Sequence, residues 1–271
     1  MTVTIHPLEI LRQHLTELEA AILLCLDNPT KKPVHRLRTM TRRVEAQFTL
    51  LAALRVPHIH EEDAQKARRL LKKLRRAAAQ VRDLDVQDDL IAENTPPKAR
   101  EDATKLRGKF QQQRSKAADQ LQKSLQKYHT KLTDTLEALL KTLETDEAPI
   151  LTSTELSTLT TDWFASKAPA PTEDPDDLHT IRKTAKIARY LAENAPKQAR
   201  MPRKLATEFE SLQQIGGEWH DWLILSEIAR DETGESSPLT TAFSGKCKRS
   251  LASYRRHLKT ALPNAAERPK A

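Results

Sequence analysis

Seven short breakers divide this chain into stretches of helical periodicity, and that division constrains the fold more than any other feature. They read DNPT, RVPH, NTPP, DEAP, KAPAPTEDP, NAPK and DETGESSP, and each joins proline to turn-favouring residues. Between them the spacing predicts helices at roughly 7–27, 31–55, 60–93, 98–143, 152–167, 175–195, 200–231 and 238–262. No stretch shows convincing strand alternation. Glycine is scarce, at 5 of 271 residues, and Ala, Leu, Lys, Arg, Glu and Gln dominate, so composition also favours helix. The predicted fold class is all-α. The fourth segment is long for a globular helix, and Gly108 is where a bend or break is expected.

The chain is long enough for one large or two ordinary domains. Its net charge of +8, from 45 basic and 37 acidic residues, points to an anionic partner. No apolar run approaches the roughly 20 residues that span a bilayer, so no membrane partner is expected. The N-terminus MTVTIHPLEI lacks the pattern of a secretory signal. Cys25 and Cys247 stand far apart with no CxxC spacing. Both points favour a reducing, cytoplasmic setting and argue against zinc.

The stretch VHRLRTMTRR, residues 34–43, carries one histidine and four arginines without an acid. At 100° per residue, His35, Arg38 and Arg42 share a narrow sector. Leu37, Met40, Val44, Phe48 and Leu51 fall opposite, so the helix has a cationic face and a core face. Pro33 precedes this stretch, as suits a helix start. A charged face is often merely solvated, but such faces usually mix signs.

An internal repeat gives this face more weight. VHRLRTMTRRVEAQ aligns with LHTIRKTAKIARYL, which pairs His35 with His179, Arg38 with Arg182 and Arg42 with Lys186. Leu37 and Ile181, and Val44 and Ala188, supply matching apolar positions. LRRAAAQVRDLDV aligns with LQQIGGEWHDWLI, pairing Leu74 with Leu212, Asp83 with Asp221, Leu84 with Trp222 and Val86 with Ile224. A looser match of FQQQRSKAADQLQK to FSGKCKRSLASYRR sets Lys116 against Arg249 and Lys123 against Arg256. A repeat kept only for packing would preserve apolar positions, whereas here the His-x-x-Arg-x-x-x-base face persists too.

Basic residues collect in four strings, 31–43, 66–82, Lys105–Lys131 and Lys246–Lys259, and the third contains a single acid, Asp119. In the second, Arg68, Lys72, Arg75 and Arg82 share a face opposite Leu70, Leu74, Ala77, Val81 and Leu84. The acids gather elsewhere, notably at 144–147 and 173–177. Arg offers paired donors to phosphate oxygens and Lys a mobile charge. If such side chains converge, their repulsion is relieved by a polyanion. The basic faces hold almost no aromatic platforms for single-stranded nucleic acid, and no zinc finger, RNP signature or helix-turn-helix is evident. Binding to a duplex backbone stays open.

His220–Asp221 resembles a metal dyad, but the repeat sets Arg82 where His220 stands, so Asp83 and Asp221 are read as orienting neighbouring bases. His58 and His60 flank a turn and are not assigned to a metal. Trp163, Trp219 and Trp222 are expected in cores. No phosphate loop, GxSxG or HExxH occurs, so no catalytic residue or cofactor is assigned.

The duplicated VHRLRTMTRR and LHTIRKTAK, followed by VRDLDV and WHDWLI, resemble the CHAD family, the conserved histidine α-helical domain. The resemblance covers about residues 7–262. It implies two four-helix bundles, 1–145 and 150–262, related by a pseudo-twofold with a basic groove between them, and a flexible tail at 263–271. It implies binding of inorganic polyphosphate and, in some members, association with polyphosphate granules. The implied binding residues are His35, Arg38, Arg42, His179, Arg182, Lys183, Lys186 and Arg189. Lys72, Arg75, Arg82, Lys116, Lys123, Arg249 and Arg256 would complete the set. Glu210 and Gln213 stand where the first half has Lys72 and Arg75, a departure from symmetry. Family members are often fused to a CYTH triphosphatase domain, but its ExExK signature is absent, so hydrolysis is not expected. The alternatives are a nucleic-acid-binding helical module and, third, a phosphohydrolase.

Overall fold

A computed structural model of the chain describes residues 4–144 and 149–261. The expected tail at 263–271 and most of the acidic run at 144–147 lie outside the described residues. Within them the protein is all-α. The helices are α1 (Pro7–Asp27), α2 (Lys31–Ala53), α3 (Glu62–Asn94), α4 (Arg100–Leu143), α5 (Ser153–Lys167), α6 (Pro175–Ala192), α7 (Arg200–Thr233) and α8 (Pro238–Ala261). A 3-10 turn, Pro97–Ala99, precedes α4. No helix among the described residues is long and apolar enough to cross a membrane.

Proline placement accounts for many of the starts. Pro7, Pro175 and Pro238 open α1, α6 and α8, while Pro33 and Pro202 sit third in α2 and α7. All lie in a first turn, where a missing N–H breaks no intrahelical bond. Pro33 is therefore inside α2, as the predicted span 31–55 has it. Asp174 caps α6 by accepting from the Asp176 N–H at 2.9 Å. Thr152 and Glu155 form a capping box at α5: the Glu155 N–H donates to Thr152 Oγ1 at 3.2 Å, and the Thr152 N–H to Glu155 Oε2 at 2.7 Å.

Two expectations are corrected. Gly108 does not break α4, which runs 44 residues without interruption, because tertiary contacts along a helix outweigh one glycine's propensity cost. Two short strands do occur. β1 (Thr4–Ile5) pairs antiparallel with β2 (Leu151–Thr152), in the register Thr4 to Thr152 and Ile5 to Leu151. Two residues are too few to show a period in the sequence.

Two compact units form. Among the described residues the first comprises 4–85, 111–144, 149–156 and 194–199, and the second 86–110, 157–193 and 200–261. Thus the boundary does not follow the halves 1–145 and 150–262. The reason is helix length. At 33 and 44 residues, α3 and α4 span about 50 and 66 Å, well beyond α1 and α2 at 21 and 23 residues. Their adjoining ends, 86–110, belong to the second unit. There Ser237 donates to Asp102 at 3.0 Å, and Lys109 pairs with Glu232.

The first core packs Leu11, Leu18 and Ile22 of α1 against Leu37, Val44, Phe48 and Leu51 of α2. Leu71, Leu74 and Val81 of α3 and Leu121, Leu125 and Leu132 of α4 complete it. The second core joins Phe164, Leu178, Ile181, Ala185, Ala188, Phe209, Leu212, Trp219, Tyr254 and Leu258. Trp219 and Trp222 are buried and Trp163 is partly so, packed against this core. Tyr254 stacks on Trp219 at 5.8 Å and donates to the Leu178 carbonyl at 3.0 Å. This packing needs Gly216: a Cβ there would stand 2.7 Å from Tyr254 Cζ. Gly234, at φ +87°, follows α7, and its N–H donates to the Arg230 carbonyl at 2.9 Å.

Candidate anion-binding faces

In the first unit the core face of α2 fixes where its cations point. Val34, Leu37, Met40, Thr41, Val44, Gln47, Phe48 and Leu51 are all buried. That leaves His35 exposed and Arg38 and Arg42 half-buried on the other side. Arg38 Nη1 donates to Asp83 Oδ1 of α3 at 2.8 Å. Asp83 is mostly exposed, and this charge-assisted bond orients the guanidinium.

The bases of α3 divide in two. Lys72 is exposed and Arg82 half-buried. Arg75, however, is committed to an ion pair with Glu45 of α2. Arg68 is also withdrawn from the cationic face on which its spacing put it. Its guanidinium lies 5.4 Å from the Phe48 ring centroid. It donates to the carbonyls of Phe48 and Ile59 at 3.1 and 3.4 Å. Desolvation by burial lowers its pKa from the ordinary arginine value, against the pull of Glu45. Helical phase cannot tell a solvent-facing arginine from one that folds back onto carbonyls. Lys116 and Lys123 of α4 are exposed.

In the second unit α6 repeats the pattern. His35 and His179 are each the fifth residue of their helix. Leu178, Ile181, Thr184, Ala185 and Ala188 are buried beneath His179, Arg182, Lys183 and Lys186. Arg182 Nη2 lies 3.3 Å from His179 Nδ1. Arginine can only donate, so this contact makes Nδ1 the acceptor of a neutral imidazole. The ring of His220, on α7, stands 4.7 Å from that of His179, centroid to centroid.

The two histidines share an environment hostile to extra positive charge. Desolvation pulls the His179 pKa down to about 4, helped by Arg182, Lys183 and Lys186 and opposed by Asp176. Desolvation likewise lowers His220 to about 4, followed by Arg182, His179, Lys186 and Lys183. In the sequence, the spacing of His220 and Asp221 raises only a metal dyad, so His220 is not placed among the basic residues there. The signal was present, because the repeat aligns it with Arg82 and so marks the position as basic in both halves.

Arg189 is tied up. It donates to Glu193, the residue just after α6, at 2.6 Å and pairs with Glu210 of α7 at 3.0 Å. Arg249 and Arg256 of α8 are exposed, while their neighbour Arg255 contacts Glu173 at 2.5 Å. The folded chain thus gathers His35, Arg38 and Arg42 on one face, and His179, Arg182, Lys183, Lys186 and His220 on another. Arg75 and Arg189 instead serve helix pairing. His58 bonds Glu61 at 2.6 Å in an exposed turn. Among the described residues no group of three or more His, Cys, Asp or Glu side chains is placed to hold a metal.

The helices define an all-α protein with cationic faces on α2 and α6. Its family can be stated: residues 9–230 match the sequence profile of the CHAD domain, and the chain belongs to that family. The crystal structure of the CHAD domain from the plant Ricinus communis is similar in fold, with a TM-score of 0.71 at 16% identity, covering 99% of this chain and 94% of that one. PptA from Streptomyces chartreusis is also similar, with a TM-score of 0.57 at 16% identity, covering 97% and 98%. No curated protein sequence matches this chain.

Proposed function

We propose that this protein is a non-catalytic binder of inorganic polyphosphate that engages the polymer through the cationic faces of α2 and α6. The observation that carries the reading is the gathering of Arg182, Lys183 and Lys186 around His179 on the outer face of α6. Mutual repulsion of this kind disfavours the empty site and is relieved by closely spaced negative groups. Membership of the CHAD family, which is associated with polyphosphate, supports the same ligand. Arg38, set by Asp83, supplies a planar fork suited to phosphate oxygens. Lys72, Arg82, Lys116, Lys123, Arg249 and Arg256 extend the cationic surface as mobile or exposed charges.

A bare phosphate chain needs only cations and donors, which these faces supply. The rings of Trp219, Trp222 and Tyr254 are buried, which withholds them from stacking on nucleobases. The reading carries a cytoplasmic location with association with polyphosphate granules, which a fluorescent fusion in polyphosphate-replete cells would test.

The deciding experiment is a titration with polyphosphate of defined length, repeated in competition with duplex DNA. Tight binding that grows with chain length and falls steeply with salt is expected, with DNA a poor competitor. Arg38→Glu with Arg182→Glu should abolish binding at unchanged helical content, and Arg38→Gln with Arg182→Gln should weaken it if the charge reversal unfolds the chain. Unchanged affinity in both double variants removes these faces from the assignment. Preferential displacement by DNA favours the nucleic-acid reading. Phosphate release from the polymer in the presence of Mg²⁺ would instead show an enzyme.

A further inference from the structure

The second unit holds a feature that the first lacks: two imidazoles in ring contact inside a cationic cluster. His179 of α6 and His220 of α7 lie 4.7 Å apart. At the position aligned with His220 the first unit carries Arg82, a permanent cation. A permanent cation can only attract an anion, whereas an imidazole can also change its charge when one arrives.

The groups around the pair are defined. On α6 they are Asp176, Arg182, Lys183 and Lys186. On α7, Asp221 follows His220 in sequence. From α8 comes Tyr254, whose hydroxyl donates to Leu178 O one residue before His179. Burial holds this phenol's pKa above the usual range, against the lowering pull of Arg182. It therefore stays neutral and takes no part in the titration. Without a ligand, both rings are neutral at neutral pH, and His179 Nδ1 faces Arg182 Nη2 at 3.3 Å.

We propose that His179 and His220 form a proton-coupled phosphate subsite, in which each phosphate group that enters the cluster brings protons onto the imidazoles from solvent. This rests on the polyphosphate reading above and assigns His220 to the same site. A phosphate diester-like unit of the polymer carries one negative charge and no titratable proton in this range, so the proton comes from water or buffer and the ring becomes an imidazolium. Each imidazolium offers N–H donors to phosphate oxygen, a charge-assisted bond stronger than a neutral one. The anion supplies the charge that offsets Arg182, Lys183 and Lys186, which is what the second cation requires. Linkage then makes affinity rise as pH falls.

The test is calorimetric titration of the full chain with long-chain polyphosphate in buffers of different ionisation enthalpy. Long chains keep the titratable end groups few. We expect net proton uptake on binding and an affinity about tenfold higher at about pH 6 than at about pH 8. His220→Asn should reduce the uptake, and His179→Asn with His220→Asn should remove it. Histidine NMR gives a second readout: saturating polyphosphate should raise the titration midpoints of both rings. Binding without proton uptake, uptake equal in the double variant, or unmoved midpoints would overturn the subsite while leaving polyphosphate binding intact. Absence of any binding would overturn the functional reading itself, and the subsite with it.

Discussion

Arg189 of α6 meets Glu210 of α7 at 3.0 Å, and the first unit makes the corresponding link with its charges exchanged. There Glu45, the repeat partner of Arg189, accepts from Arg75 of α3. Gln213, which stands at the position of Arg75, lies 3.5 Å from Arg189. Glu210 is thus the acid of a reversed ion pair, with Gln213 a neutral acceptor beside it, rather than a plain loss of cationic surface. Arg75 and Arg189 hold helices together, although their sequence context groups them with the anion-binding residues.

It follows that Arg75→Ala and Arg189→Ala should act on stability. Each leaves a partly buried carboxylate without its partner, at a cost of about 1–2 kcal/mol. Polyphosphate affinity should change by less than about threefold, well short of the effect at Arg38 or Arg182. Urea unfolding midpoints set beside binding isotherms check this, and a large loss of affinity with unchanged stability would refute it.

Arg68 should prove to be a structural arginine. Its donors satisfy carbonyls at the end of α2 and in the turn beyond it, and its plane lies over Phe48. Arg68→Ala is expected to cost about 2–3 kcal/mol by chemical denaturation. Arg68→Lys should recover only part of that, because an ammonium cannot reproduce the planar fork.

The two glycine substitutions should differ in sign. Gly216→Ala puts a Cβ 2.7 Å from Tyr254 Cζ and should destabilise by about 1–3 kcal/mol. Gly108→Ala meets nothing within 4 Å and sits within α4. It should stabilise by about 0.5–1 kcal/mol through helix propensity. Thermal or urea unfolding of the pair decides it.

Acidification should weaken the fold through His179 and His220. Both are lowered from 6.5 to about 4 in the folded state, so the unfolded chain takes up protons first. Their contribution is complete above about pH 6.5 and is lost as pH falls towards about 4. A pH series of unfolding midpoints should show this slope. The His179→Asn and His220→Asn double variant should flatten it, and added polyphosphate should counter it.

The sequence by itself determined the helices. Proline clusters and apolar spacing placed eight segments whose boundaries the structure reproduces to within a few residues, because first-turn prolines and buried stripes act locally. It also fixed which residues of α2 and α6 share a face, and burial of Leu37, Val44, Ile181 and Ala188 follows from the same periodicity. Only the tertiary structure decided what each cation does. Arg68, Arg75 and Arg189 differ from Arg38 in what lies across from them, namely backbone carbonyls or partly buried carboxylates, where Arg38 meets the mostly exposed Asp83. Such partners are 20 or more residues away in sequence for Phe48 and Arg68, Glu45 and Arg75, and Arg189 and Glu210, and a single helix's phase holds no record of them. The same holds for the contact of His179 with His220 and for the membership of 86–110 in the second unit. Helix formation depends on neighbours along the chain, whereas the charge state and partners of a side chain depend on packing between helices.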